Sequence, residues 1–106
     1  MMDYIPIPKG AQPPMLKFET DMQFHKALSD NAHKIHIRTL YAIEYAHDTK
    51  FNGEITIAFL NDEDTILGCP PDVWIDNLHM SLEYFIEIED YEKCQEVKEI
   101  IDKLQS

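Results

Sequence analysis

The C-terminal third of the chain constrains the fold most, because its apolar residues recur at the spacing of a helix. Pro70-Pro71-Asp72 interrupts the chain before this region, and apolar positions then follow every three or four residues. They form two stripes: Trp74, Leu78, Leu82, Phe85 and Ile88, then Cys94, Val97, Ile101 and Leu104. Such spacing is typical of amphipathic helices that bury one face. The sequence therefore predicts a C-terminal helical hairpin.

A long helix is predicted in the first half of the chain. Thr20 and Gln23 have the spacing of a capping box, which marks a helix N-terminus. Apolar residues then continue at helical spacing, so we expect a helix from about residue 20 to about His47. Ser29-Asp30-Asn31 could divide this helix and cap a second segment, because short polar side chains compete for backbone hydrogen bonds.

Two strands are predicted between the long helix and the C-terminal hairpin. Residues 54–60 are β-branched and aromatic, and residues 65–69 are short and apolar. Turn signals precede the first strand at Asn52-Gly53 and separate the two strands at residues 61–64. The predicted fold class is therefore α+β and mostly helical, in the order long helix, β-hairpin and C-terminal helical hairpin.

Residues 1–18 are predicted to form an extended arm, and residues 19–106 a single small α+β domain. Four prolines in the arm remove backbone donors and oppose a helix. Its apolar side chains distinguish it from a polar disordered tail: Tyr4, Ile5, Ile7, Met15, Leu16 and Phe18. Because water penalises exposed apolar surface, we expect the arm to dock, either on its own domain or on a neighbouring subunit. The second alternative predicts a homodimer, in which Tyr4, Ile5 and Ile7 would contact the partner.

The negative charge is concentrated in the second half of the chain. The net charge is −11, and residues 54–106 carry all of the excess, with fourteen acidic residues and three lysines. A surface of this sign repels phosphate backbones and anionic lipids, so we expect no direct binding to nucleic acid or to a membrane. A protein partner with a basic surface is favoured instead. The predicted partner-binding carboxylates are Glu87, Glu89, Asp90, Glu92 and Glu96.

Spacings typical of catalytic, metal or nucleotide sites are not evident in the sequence. His33 and His36 lie three residues apart, but zinc sites need three or four convergent ligands, so we expect surface histidines. Glu44 and His47 match one Glu-x-x-His step of di-iron bundles, which need two such steps. We therefore predict a protein that is not an enzyme and has no catalytic residues, no metal and no cofactor. The N-terminus lacks the pattern of a secretion signal, which predicts a cytoplasmic protein with free thiols.

Residues 82–104 resemble the UVR motif, a short helical hairpin found in bacterial excision-repair subunits and clamp-associated adapters. The resemblance lies in Leu82, in Glu89-Asp90-Tyr91-Glu92-Lys93-Cys94, in Val97-Lys98 and in the closing Leu104. Cys94 stands at the small-residue position, and Lys98-Glu99 replaces the arginine and aspartate of the family. The resemblance implies a role in docking to another protein.

These features together predict a small acidic interaction module without enzymatic activity, which acts as an adapter, regulator or inhibitor of a partner protein. The alternative is an acidic inhibitor that mimics a nucleic acid and occupies the basic groove of a DNA- or RNA-binding protein. Both hypotheses use the same carboxylates, so they differ in whether the partner's nucleic-acid site is blocked.

Overall fold

The computed structural model describes residues 12–106, in which four α-helices pack on a small three-stranded sheet. The strands are β1 (Met15–Leu16), β2 (Ile55–Leu60) and β3 (Asp62–Cys69). The helices are α1 (Asp21–Asp30), α2 (Ala32–Asp48), α3 (Trp74–Glu87) and α4 (Tyr91–Gln105), with one short helical turn at Pro71–Val73 before α3. The predicted α+β class and the order of a helical region, a β-hairpin and a C-terminal helical hairpin are confirmed.

The predicted long helix is divided at Asn31 into α1 and α2. Its start is as predicted, because the Thr20 hydroxyl accepts a hydrogen bond from the Gln23 backbone N–H at 3.1 Å. At the division, the Asn31 side-chain amide donates to the Ala27 carbonyl at 2.9 Å. Asn31 leaves the helical conformation, with φ −110° and ψ 15°. The Ala27 carbonyl thus accepts from both the side chain and the backbone N–H of Asn31, and the non-helical backbone of Asn31 separates the two helices.

The sheet has the order β1-β2-β3, with β2 in the centre. β3 returns antiparallel to β2 after a tight turn, in which Asn61 adopts the left-handed region at φ 68°. β3 therefore begins at Asp62, three residues earlier than predicted, because Asn tolerates this conformation. β1 pairs parallel with β2, since the Pro14 and Leu16 carbonyls accept from the backbone N–H groups of Phe59 and Asn61 at 2.9 and 2.8 Å.

The core lies where α2, α3 and α4 pack together on β2 and the end of β3. The predicted C-terminal stripe is buried within the chain at Cys94, Val97 and Ile101. Ile100 is also buried, which the predicted stripe did not include. Trp74 is buried as well, and its indole N–H donates to the Cys69 carbonyl at 3.0 Å, which joins the start of α3 to the end of β3.

Both cysteines are free and buried. Burial, reinforced by the nearby carboxylates of Glu54 and Asp72, raises the pKa of the Cys69 thiol to about 11. The thiol is therefore protonated at neutral pH and acts as a small apolar core residue. Across residues 12–106, none of the helices combines the length and the apolar character that crossing a membrane would require.

Candidate functional site

The candidate site is the acidic corner, which we define as residues 86–92 around the turn between α3 and α4. α3 ends in a Schellman motif, since the Asp90 N–H donates to the Phe85 carbonyl at 2.9 Å and the Glu89 N–H to the Ile86 carbonyl at 3.0 Å. α4 then begins at once, because the Asp90 carboxylate accepts from the Lys93 backbone N–H at 3.2 Å. These paired caps fix the corner without a flexible loop.

Three large apolar side chains are exposed in the acidic corner. Ile86 is 50% exposed, Ile88 46% and Tyr91 65%. Three other large apolar residues between residues 12 and 106 are exposed, and they lie apart from one another in the sequence, at Met22, Phe51 and Met80. A concentration of exposed apolar residues within one turn is a feature of interaction surfaces rather than of an ordinary solvated surface.

The predicted carboxylates divide into two groups. Glu87, Glu89 and Glu92 are exposed in the acidic corner, and each is next to an exposed apolar residue in the sequence. Asp90 and Glu96 are partly buried and hold the fold, since Asp90 caps α4 and Glu96 accepts a hydrogen bond from the Tyr41 hydroxyl at 3.0 Å. The structure therefore leaves three of the five for direct contact with a partner.

Glu96 belongs to a polar contact that joins α4 to α2. The Lys93 ammonium donates to its carboxylate at 3.0 Å and lies 5.6 Å from the centre of the Tyr41 ring. Hydrogen bonds to Tyr41 and to Glu96 raise the pKa of Lys93, despite an opposing effect of burial. Lys93 is thus directed toward the fold, and its charge is partly neutralised beside the acidic corner.

The other predicted partner-binding residues, Tyr4, Ile5 and Ile7, lie outside the residues that the structure describes, so their role stays a prediction. Sequence reasoning missed the apolar residues of the acidic corner, because Ile88 continued the helical stripe of α3. Asp90 followed by Lys93 and a new apolar stripe was the signal that could have placed the turn between Glu87 and Tyr91.

Glu89 adopts the left-handed region at φ 62°, which favours glycine. Glu89→Gly is therefore expected to raise the free energy of unfolding by about 0.5–1 kcal/mol, because relief of the left-handed strain exceeds the added entropy of the unfolded chain. Urea denaturation of the two proteins measures the difference. Glu87→Gly is the matched control, since it removes the same charge from the last residue of α3 and should destabilise the protein. If Glu89→Gly were less stable than the parent, Glu89 would not have the left-handed conformation described here.

A second feature is a cavity of about 300 Å³ between α1, α2, α3 and the sheet. His36 and Ser81 meet in its wall, with 2.8 Å between Nδ1 and Oγ. The His36 ring stacks on the Tyr84 ring with centroids 4.5 Å apart, and the Tyr84 hydroxyl is 3.2 Å from His33 Nδ1. His36 is partly buried, so the expectation that the histidines lie on the surface is wrong at this position.

The cavity wall does not have the arrangement of a hydrolytic site. Serine hydrolases orient their histidine with a carboxylate. Among residues 12–106, His36 instead has a hydrogen bond with Ser81, and its ring packs against Tyr84 and Phe85. Burial, together with the charge of His33, lowers the pKa of His36. The described part of the chain also contains no group of three or more His, Cys, Asp and Glu residues that could hold a metal ion.

The lowered pKa of His36 predicts a loss of stability in mild acid. The unfolded chain binds a proton at His36 near the ordinary pKa of about 6.5, and the folded protein only at lower pH. The contribution of neutral His36 to the free energy of unfolding is therefore complete above the ordinary pKa. It is lost as the pH falls through the pKa of His36 in the folded protein. Urea denaturation across this range should show a smaller acid loss for His36→Gln than for the parent. His79→Gln, which changes an exposed histidine, should behave like the parent.

Comparison of the chain with protein-family models, with curated proteins and with solved structures gives no match. The resemblance of residues 82–104 to the UVR motif stays a prediction that rests on its own residues.

Proposed function

We propose that this protein is a non-enzymatic interaction module that binds a basic segment of a partner protein through the acidic corner. The observation that carries the proposal is the exposure of Ile86, Ile88 and Tyr91 within one turn that also presents Glu87, Glu89 and Glu92. Apolar anchors supply most of the affinity of such a surface, and the surrounding charges select the partner and guide its approach.

The chemistry of the corner defines the partner. Tyr91 offers an exposed aromatic ring, a residue type enriched among the energetically dominant positions of interfaces. The three exposed carboxylates complement lysine or arginine side chains that flank an apolar residue. The expected partner is therefore a segment in which one or two aliphatic or aromatic residues lie between basic residues. The protein would then act as an adapter, regulator or inhibitor of the protein that carries this segment.

The apolar residues favour this function over nucleic-acid mimicry. A surface that imitates a phosphate backbone needs regularly spaced charges, whereas here Ile86, Ile88 and Tyr91 alternate with the acids. A basic groove shaped for nucleic acid gains little from contact with these side chains.

The experiment is a selection of random peptides displayed on phage against the full chain. The selected peptides should contain lysine or arginine next to aliphatic or aromatic residues, and their affinity should fall as salt rises, because exposed charges are screened. The triple variant Glu87→Gln, Glu89→Gln, Glu92→Gln should bind them more weakly and with a smaller salt dependence. Selected peptides without basic residues, or peptides that bind the triple variant as well as the parent, would overturn the proposal.

A further inference from the structure

The cavity beside His36 has the size and lining of a small-molecule site. Its volume of about 300 Å³ matches the lower end of known ligand pockets, which span roughly 300–1,000 Å³. Side chains from α1, α2, α3 and both long strands contribute to it, so the site is formed only by the folded domain. Most of the wall is apolar: Leu28, Ala32, Ile35, Ile57, Leu67 and Met80.

The polar groups of the cavity are few, and they are uncharged. No lining residue is a lysine, arginine, aspartate or glutamate. Ser81 is fully buried, and its hydroxyl is occupied by His36 Nδ1 at 2.8 Å. Burial lowers the pKa of His36 below its ordinary value, which favours the uncharged imidazole. The wall thus offers hydrogen bonding without charge, which excludes nucleotides, phosphates and carboxylates as preferred ligands.

Thr39 and Asn77 also line the cavity, where the Thr39 hydroxyl donates to the Ile35 carbonyl and the Asn77 amide to the Val73 carbonyl. His36 provides a further hydrogen-bonding position for a ligand. Its Nδ1 is held by Ser81, whereas none of the hydrogen bonds among residues 12–106 uses Nε2. The ring is fixed by its stack on Tyr84 and by Phe85, whose ring centre lies 6.2 Å away at a near-perpendicular angle. A fixed imidazole with one unused nitrogen beside an apolar cavity can orient a ligand at little entropic cost.

We propose that this cavity binds a neutral aromatic ligand of one or two rings that carries a single hydrogen-bonding group, with His36 Nε2 as the partner of that group. The apolar wall receives the ring, and the flexible thioether of Met80, which is largely exposed, adjusts at the entrance. The site is separate from the acidic corner, so ligand binding and partner binding use different residues.

The test is a titration of the isotope-labelled full chain with three simple probes, followed by two-dimensional NMR. Phenol should bind with a Kd on the order of 1 mM and shift amides of the cavity wall, such as those of Ile35, Leu67 and Ser81. Fluorobenzene has nearly the same shape without the hydroxyl, and it should bind at least about fivefold more weakly. Benzoate should not bind, because the cavity has no counter-charge.

Two variants make the test specific. His36→Phe keeps a ring against Tyr84 but removes the nitrogen. It should therefore lower the affinity for phenol at least about fivefold and leave the affinity for fluorobenzene nearly unchanged. Ala32→Phe fills the cavity and should abolish binding of both probes, which keeps the test available if His36→Phe does not fold. The proposal is overturned if phenol causes no shifts, if benzoate binds as well as phenol, or if phenol shifts only the acidic corner. It is also overturned if folded His36→Phe binds phenol like the parent, or if folded Ala32→Phe still binds it.

Discussion

Val97→Asp is expected to unfold the domain or to lower its free energy of unfolding by at least about 3 kcal/mol, because it places an unpaired carboxylate in the core. Val97 is fully buried on the face of α4 that packs against the rest of the core. The free energy of unfolding of a domain of this size is typically about 5–10 kcal/mol, so a loss of this size should be measurable at room temperature. Circular dichroism and urea denaturation measure it.

Gln95→Asp is the matched control for this prediction. Gln95 lies two residues away on the exposed face of α4, and its substitution adds the same single negative charge. The free energy of unfolding of the control should stay within about 0.5 kcal/mol of that of the parent, since substitutions at exposed positions rarely change it by more. Equal stabilities of Val97→Asp and the parent would mean that α4 does not pack as described.

The second large effect is expected on binding. Tyr91→Ser should lower the affinity for the selected basic peptides by at least about tenfold, because truncation of a central aromatic anchor typically lowers affinity this much. Isothermal titration calorimetry measures the affinity, and thermal denaturation should show that the fold is retained, since the ring is largely exposed.

Met22→Ser separates the acidic corner from general surface hydrophobicity. Met22 is even more exposed, at 82%, but it lies on α1, outside the corner. Its loss should leave peptide affinity unchanged. If Met22→Ser lowered peptide affinity as much as Tyr91→Ser did, binding would depend on nonspecific apolar contact. The acidic corner would then not be the peptide-binding site.

The sequence predicted the elements whose side chains have a strong period, and it failed where a single residue decides the backbone. The stripes of α3 and α4 were readable because burial repeats every three or four positions. The prediction of one long helix was wrong at Asn31, because the break depends on the non-helical backbone of that single residue. The early start of β3 was missed, because it depends on the left-handed conformation of Asn61.

The candidate site was only partly predictable for a related reason. The charges of Glu87, Glu89 and Glu92 are visible in the sequence, but the exposure of Ile88 depends on where α3 ends. The cavity could not be predicted at all, since His36 and Ser81 lie 45 residues apart and meet only when α2 packs on α3.

The parallel contact of β1 with β2 also affects how the protein avoids aggregation. β1 shields one edge of the central strand with only two paired residues, Met15 and Leu16, which must close a loop of about forty residues to reach it. So short a strand should detach more readily than the helices unfold, and its departure removes the Pro14 and Leu16 carbonyls that accept from the backbone N–H groups of Phe59 and Asn61. An exposed strand edge can pair with other chains. β1 therefore protects this edge of the sheet from other chains. Its removal should promote self-association even where the helical core stays intact.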